Sequence, residues 1–246
     1  MPPKTLAAVL SLVTTVLVPQ SLSAQADAGS GSERVVIENE SWRLMGDLRV
    51  PAASSPVPIA LLLNGAAGDR RSYAGLAEQL ASRGVASLRL DLRGHGESTN
   101  LGRFEPGASP HDPLIWDAES DVAAACRYLA ALDMIDPSRI GIVEASYSGE
   151  EAAEAGRMIG HAALYVLLSP GSLSNTTIGE MEGTGVRWLF VSARDDPFLR
   201  DVAVSVRELA PSTELLTVPG AVHGTALLHD EALMERIAAW ITRILE

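Results

Sequence analysis

Short, wholly apolar runs alternate with segments of helical spacing along most of this chain, and this alternation constrains its fold more than any other feature. The first apolar run is residues 58–63 (PIALLL), and a segment with an apolar helical face follows it from Ser72 to Gly84. A strand without polar alternation is typical of a parallel sheet, which is buried on both faces. The intervening helices supply the crossovers that parallel strands require.

The same unit repeats to the end of the chain. We predict further strands at residues 85–90, 139–143, 163–168, 187–192 and 214–218, and helices at residues 117–132, 147–158, 197–209 and 227–245. Two extended segments, residues 34–38 and 42–50, predict an antiparallel hairpin before the first apolar run. The sequence therefore predicts an α/β fold, with a mostly parallel sheet, helices on both faces and an N-terminal hairpin. About 15 residues join the fourth and fifth parallel strands, which leaves room for a loop and none for a cap domain.

The composition fits one folded domain, and the net charge argues against two classes of binding partner. The chain has 246 residues, of which 47% are hydrophobic and 20% charged, as in a single globular domain. Its formal net charge of −12 at pH 7 is unsuited to nucleic acids, whose phosphates require a basic surface. The same charge disfavours docking on an anionic membrane. We therefore expect a small molecule as the binding partner, and the oligomeric state stays open.

The first residues have the pattern of an export signal. A basic start at Lys4 precedes the apolar run 6–18, and Ala24-Gln25-Ala26 offers a small-residue cleavage site. We therefore predict a signal peptide at residues 1–26, a flexible leader at 27–33 and the folded domain at 34–246, in a periplasmic or secreted protein. An uncleaved membrane anchor is the alternative, although such a run covers about 20 Å as a helix and a bilayer core measures roughly 30 Å.

Neither cysteine nor histidine usage indicates a metal or cofactor site. Cys126 is the only cysteine, and it falls on the apolar face of a predicted helix, as a small buried hydrophobe would. The histidines form no H-x-x-x-H pair and no cluster with cysteine. We therefore predict a chain that works without a metal ion or an organic cofactor.

A nucleophile is indicated where the third parallel strand meets the next helix, in the segment RIGIVEASYSGEEAAEAGR. A buried strand runs directly into Ser146 and a helix-forming segment follows at once, which is the strand–turn–helix context of an activated serine. In that context Tyr147 offers its backbone N–H to an oxyanion from the helix N-terminus. The alternative is that Ser146 only caps the helix.

Two later strand ends carry the partners that a serine nucleophile needs. Asp195 and Asp196 follow the fifth parallel strand, and His223 lies in a glycine-flanked loop after the sixth. Since the carboxyl ends of parallel strands meet at one edge of a sheet, we expect Ser146, Asp196 and His223 to converge as a triad. Asp196 is preferred to Asp195 because it directly precedes Pro197, at the turn position. The alternative is that the aspartates cap a helix and His223 is an ordinary loop residue.

Proton chemistry assigns the roles. Ser146 needs His223 to accept its proton at neutral pH, and Asp196 would hold the imidazole in the required tautomer. The oxyanion needs backbone donors, and the small-residue segment 64–68 (NGAAG) allows a close approach to substrate. Ala66 and Tyr147 are the predicted N–H donors. The same glycines also fit a simple tight turn.

Five segments resemble the α/β-hydrolase superfamily over nearly the whole predicted domain: residues 61–73 (LLLNGAAGDRRSY), 91–98 (DLRGHGES), 141–149 (GIVEASYSG), 190–198 (FVSARDDPF) and 218–224 (VPGAVHG). Residues 91–98 are very specific to that superfamily, in which they form a structural loop. Within it the chain is similar to small dienelactone-hydrolase-like and esterase-like members. The resemblance implies hydrolysis of a carboxylic ester through an acyl-enzyme, with Ser146 as nucleophile, His223 as base and Asp196 as acid.

The sequence departs from the family at three positions. Asn64 stands where the family usually has histidine, and Glu144 and Ser148 replace the two glycines that flank the nucleophile. A carboxylate two residues before the nucleophile must find both space and a partner. Fold and motifs do not separate an esterase from a peptidase or thioesterase. The departures also motivate a third interpretation, a catalytically silent binding protein with this fold.

Overall fold

The computed structural model describes residues 25–26, 31–105, 107 and 112–246, and its strands form one sheet. The strands are β1 Gln25–Ala26, β2 Glu33–Asn39, β3 Trp42–Arg49, β4 Val57–Leu63, β5 Ala86–Leu90, β6 Ile135–Ala145, β7 Leu164–Leu168, β8 Arg187–Ala193 and β9 Glu214–Val218. Their order in the sheet is β1-β2-β3-β5-β4-β6-β7-β8-β9. The pairs β1–β2, β2–β3 and β3–β5 are antiparallel and the other pairs are parallel. The predicted mostly parallel sheet with an N-terminal hairpin is confirmed.

Helices cover both faces of this sheet, as predicted. The helices are α1 Ala74–Ser82, α2 Pro113–Trp116, α3 Glu119–Ala130, α4 Ser148–Ile159, α5 Asn175–Gly183, α6 Arg200–Leu209 and α7 Glu231–Leu245. Side chains alternate along β4, so that Leu61 packs in the cluster that contains α3 and α4, and Leu62 packs in the cluster that contains α1 and α7. Residues 59–63 are all buried because both faces of the strand are covered, which explains the absence of polar alternation.

The connection from β7 to β8 contains helix α5, and the prediction of a loop there is wrong. Ser174 caps this helix, since its hydroxyl accepts a hydrogen bond from the Thr177 N–H at 3.1 Å. The buried residues of α5 are only Thr177, Ile178 and Met181, so the helix has a weak apolar pattern. A nine-residue helix is far smaller than a cap domain, so the connection between β7 and β8 carries none, as predicted.

Glu150 ties α5 to α4. Its carboxylate accepts hydrogen bonds from the Ser174 N–H at 2.8 Å, the Ser174 hydroxyl at 2.9 Å and the Thr177 hydroxyl at 2.8 Å. Arg157 of α4 pairs with Glu150 at 3.2 Å and with Glu180 of α5 at 2.7 Å. The connection between β7 and β8 is therefore fastened along the side of α4.

Other boundaries differ from the predicted ones by a few residues. Strand β6 begins at Ile135, four residues before its predicted start, and α6 begins at Arg200 rather than at residue 197. The last predicted helix is divided into a 3-10 segment, Gly224–His229, and α7. The division falls at Asp230, whose side chain accepts a hydrogen bond from the Leu233 N–H and so starts a new helix.

The predicted signal peptide, residues 1–26, lies outside the described residues except for β1. The predicted leader, residues 27–33, is described from Gly31 onward, and β2 begins at Glu33. Within the part of the chain that the structure describes, none of the helices has the length and apolar character needed to cross a membrane.

A buried arginine links three segments near the carboxyl edge of the sheet. Arg70, which is 2% exposed, pairs with Asp91, with Asp47 at 3.0 Å and with Glu97 at 2.9 Å. The Asp91 carboxylate also accepts hydrogen bonds from the N–H groups of Arg70 at 2.7 Å and Glu97 at 2.9 Å. Gly96 passes directly over this carboxylate with a φ of 49°, and any Cβ at that position would collide with it. The segment DLRGHGES is therefore a loop wrapped around a buried charge.

Arg70→Met is expected to lower the free energy of unfolding by about 3–5 kcal/mol, because it leaves the buried Asp91 carboxylate without its cation. Urea denaturation followed by circular dichroism measures the loss. Arg71→Met is the matched control, since the neighbouring Arg71 side chain is 72% exposed and should change stability little. Equal losses in the two variants would contradict the structural role of Arg70.

Candidate active site

Ser146 occupies a sharp turn between β6 and α4. Its φ of 61° is positive, a conformation that is strained in a residue other than glycine. The Ser146 N–H donates to the Leu168 carbonyl and the Gly171 N–H donates to the Ser146 carbonyl, both at 3.1 Å. The Ser148 hydroxyl donates to the Ala145 carbonyl and accepts from its N–H, both at 3.0 Å. Ser148 therefore adds two hydrogen bonds to the turn.

The structure brings the three predicted triad residues together. His223 Nε2 lies 3.0 Å from the Ser146 hydroxyl, and His223 Nδ1 lies 2.8 Å from the Asp196 carboxylate. The Asp196 side chain is fully buried and also accepts a hydrogen bond from the Phe198 N–H at 3.0 Å. Asp195 is exposed and contributes only its backbone N–H, to another loop carbonyl. Of the two aspartates, Asp196 is the one in contact with the histidine.

The two predicted oxyanion donors flank the nucleophile. Tyr147 follows Ser146 directly and has helical φ and ψ at the start of α4, where backbone N–H groups lack partners within the helix. The turn that carries Ala66 passes close to the nucleophile, because a Cβ on Gly65 would lie 3.1 Å from the Ala145 carbonyl oxygen. The same Cβ would lie 3.4 Å from the Ser146 Cβ. This turn can therefore bring a backbone N–H to an oxygen bound beside the serine.

Asn64 holds the donor turn in place. The side chain is fully buried, its amide N–H donates to the Gly65 carbonyl at 3.0 Å, and its carbonyl accepts from the Leu92 N–H at 2.9 Å. The asparagine thereby joins the end of β4 to the loop after β5. An asparagine at this position therefore fits a turn that would offer backbone N–H groups to a substrate.

The surroundings of Ser146 are open, polar on one side and aromatic on the other. A groove of about 650 Å³ runs beside the donor turn, and its lining includes Arg71, His95 and Arg103. Next to the triad, the Phe198 ring lies edge-on to His223 with centroids 4.9 Å apart, and Phe198 is 66% exposed. Ser146 itself is partly exposed.

A second cavity lies at the opposite edge of the sheet, far from these residues. It measures about 330 Å³ and is lined by the end of α3, the starts of β6 and β7, and Cys126. Burial raises the pKa of Cys126 to about 12, so the thiol is uncharged at neutral pH. Cys126 is partly buried and packs against the apolar core, so the predicted apolar role is confirmed while the burial is incomplete.

Glu144 finds space beneath the turn but no partner. Its side chain is fully buried, and within the described residues neither carboxylate oxygen has a hydrogen-bond partner. The space exists because α4 carries Gly149, whose Cβ, if present, would lie 2.7 Å from a Glu144 oxygen. Burial raises the pKa of Glu144 well above its usual range. Burial therefore favours the protonated form of this carboxyl, which suits a position without a cation or a hydrogen-bond donor among the described residues.

Three further carboxylates converge near the N-terminal ends of α3 and α4. One oxygen each from Glu119, Glu151 and Glu154 lies within 4.8 Å of the other two. Burial, followed by the neighbouring carboxylates Glu154 and Glu119, raises the pKa of Glu151 to about 9. This group was not predicted, because the spacing of histidines and cysteines gives no indication of a site made of glutamates. The Glu-x-x-Glu pair on α4 was the only local signal.

Many solved structures share this fold, and three of them illustrate the likeness. A 2,6-dihydroxy-pseudo-oxynicotine hydrolase superposes with a TM-score of 0.69 at 15% identity, over 87% of this chain and 68% of that one. Est1E from Butyrivibrio proteoclasticus, in its structure with ferulic acid, gives a TM-score of 0.66 at 19% identity over 86% and 97%. A dienelactone hydrolase-like promiscuous phosphotriesterase from metagenomic libraries gives 0.64 at 18% identity over 87% and 96%. Because the sequence identities are this low, the superpositions establish the shared fold alone.

Sequence comparison finds a more limited match. An uncharacterized protein of Mycobacterium tuberculosis, from strains H37Rv and CDC 1551, is 30% identical over 133 residues. The matched part is 54% of this chain and 42% of the relative, so the chain matches less than half of the relative's length. No protein-family model matches the sequence.

Gly149→Ala is expected to lower the free energy of unfolding by about 1–3 kcal/mol, because the new Cβ overlaps the buried Glu144 carboxylate. Gly179→Ala in α5 is the matched control, since a Cβ there meets open space and alanine favours a helix. Thermal and urea unfolding measure both. The double variant Glu144→Ala/Gly149→Ala should recover part of the loss, and strictly additive losses would contradict the proposed contact.

Glu144→Gln is expected to stabilise the protein at alkaline pH. Because the pKa of Glu144 is higher in the folded chain than in the unfolded chain, the folded state binds an extra proton between those two values. Stability contributed by this group therefore falls as pH rises above about 4.5, by at most about 1.4 kcal/mol per pH unit. Melting temperatures of wild type and variant between pH 5 and pH 9 test this. The variant's advantage should grow with pH, and parallel curves would show that Glu144 is not a buried neutral acid.

Proposed function

We propose that this chain, which has the α/β-hydrolase fold, is a serine hydrolase that cleaves a carboxylic ester or a related acyl compound. The observation that carries the proposal is the continuous hydrogen-bonded chain from Ser146 through His223 to the buried Asp196. A surface serine, a loop histidine and a helix-capping aspartate have no structural reason to align in this way. Nucleophilic catalysis by serine requires such an alignment, with the nucleophile in hydrogen-bond contact with a base and the base with an orienting acid.

The geometry supports a two-step reaction. His223 Nε2 accepts the Ser146 proton as the serine oxygen attacks the acyl carbon, and Asp196 stabilises the imidazolium that forms. The N–H groups of Ala66 and Tyr147 donate to the oxyanion of the tetrahedral intermediate. The intermediate collapses to an acyl-enzyme, and the leaving alcohol takes the proton from His223. Water, deprotonated by the same imidazole, then releases the acid and restores the serine.

Ester cleavage is favoured over the alternatives by the open site and by the structural relatives. Carboxylesterases, Est1E with ferulic acid and a dienelactone hydrolase are among the solved structures with this fold. A peptidase or thioesterase would use the same triad, and a silent binding protein would not need it. Ser148 and Glu144, which motivated the silent interpretation, both fit the turn without displacing Ser146. We also propose, from residues 1–26 alone, that the protein is exported.

Ser146→Ala is expected to abolish hydrolysis of p-nitrophenyl acetate and butyrate and to prevent labelling by a fluorophosphonate probe. The rate should fall at least about 10³-fold, as when other triad serines are removed. Folded wild-type protein that neither hydrolyses these esters nor reacts with the probe would contradict the proposal.

Asp196→Asn and Asp195→Asn form a matched pair for the third residue. Asp196→Asn should lower kcat by about 10⁴-fold, because an amide favours the wrong histidine tautomer. Asp195→Asn should leave kcat nearly unchanged, since this side chain is exposed and does not contact His223. Comparable losses in both variants would overturn the assignment of Asp196.

A further inference from the structure

The carboxylates of Glu119, Glu151 and Glu154 form a converging group that the proposed reaction does not use. Glu119 is the first residue of α3, and Glu151 and Glu154 lie three residues apart on α4, which packs against α3. One oxygen of each lies within 4.8 Å of the other two. Side chains three apart share one helix face, so both α4 carboxylates can point at the same place on α3.

The group contains more carboxyl groups than the neighbouring cations can pair with. Within the described part of the chain, Glu119 and Glu151 make no ion pair, and Glu154 pairs only with Arg157, at 3.5 Å. Arg157 is shared with two other glutamates of α4 and α5. The nearby Arg93 is engaged by Asp121 at 2.7 Å. Like charges this close require a compensating positive charge or a proton.

Burial adds a second and independent indication of a ligand. Glu151 is 2% exposed, and its Oε2 atom has no hydrogen-bond partner among the described residues. The Oε2 atom of Glu119 is also buried without a partner. Buried carboxylate oxygens are ordinarily hydrogen-bonded or bound to a cation. The Glu154 side chain is 40% exposed, so the group is open to solvent on one side.

We propose that Glu119, Glu151 and Glu154 form a binding site for a divalent cation of the Ca²⁺ type, which ties the start of α3 to α4. Three oxygens that all lie within 4.8 Å of one another have a central point at most about 2.8 Å from each, which is close to the distances of about 2.3–2.6 Å in Ca²⁺ sites. Ca²⁺ also prefers carboxylate ligands. Water from the side of Glu154 completes the coordination. Because Glu151 lies one helical turn after Tyr147, the cation steadies the helix start that follows the nucleophile.

The test measures Ca²⁺ binding to the full-length protein after treatment with EDTA, by calorimetry and by thermal unfolding, without substrate. Saturating Ca²⁺ should bind one to one and raise Tm by roughly 5 °C or more. Glu151→Gln and Glu154→Gln should each weaken binding at least about tenfold and lose most of the Tm shift. Glu78→Gln, which alters an exposed glutamate of α1, should behave as wild type.

Three results would overturn the proposal: no heat of binding in wild type, an equal Tm shift from NaCl at matched ionic strength, or undiminished binding in both variants. If Glu151→Gln does not fold, the partly exposed Glu154→Gln decides the question. Since neither glutamate contacts the triad and no substrate is present, the outcome is independent of whether the protein hydrolyses esters.

Discussion

The strained backbone at Ser146 is the feature on which the rest of the site depends. A positive φ at this residue lets β6 reverse into α4 within one step, and it lifts the serine hydroxyl above the edge of the sheet. Such a turn persists only where its surroundings determine it, and here a strand on one side and the Ser148 hydroxyl beneath it supply the bonds. The turn also demands small neighbours, which explains Gly65, Gly149 and Gly171 around it.

Much of this arrangement could be predicted from the sequence, because a parallel sheet produces a simple sequence pattern. Its strands are apolar throughout, and its functional residues follow the strand ends, so Ser146, Asp196 and His223 could be assigned before their contacts were known. Helix α5 could not be predicted, because most of its residues face solvent. Its start also depends on Glu150, which is 24 residues from its Ser174 partner in the sequence. The three converging carboxylates of α3 and α4 could not be predicted either, because contacts between two helices have no fixed spacing in the sequence.

The buried acidic side chains are stabilised in different ways, and the differences follow from the groups that contact each one. Asp91 is held by a buried arginine and by backbone N–H groups. Glu150 is surrounded by hydroxyl and amide donors. Among the described residues Glu144 has neither, and burial raises its pKa, which favours the protonated form. A formal net charge of −12 is therefore a poor guide to the interior, where several carboxylates are neutralised locally.

The fastening of α5 to α4 has a consequence for how this fold could acquire new parts. The beginning of α5 is bound to the helix behind the nucleophile, so lengthening the chain near Ser174 would pull on that helix. The far end of α5 is different, because Gly183 and Gly185 are exposed and have open space around them. An inserted domain would be accommodated there without disturbing the serine. Because β8 begins at Arg187 and runs parallel to β7, this end of α5 lies at the amino edge of the sheet, and a domain added there would leave the approach to Ser146 uncovered.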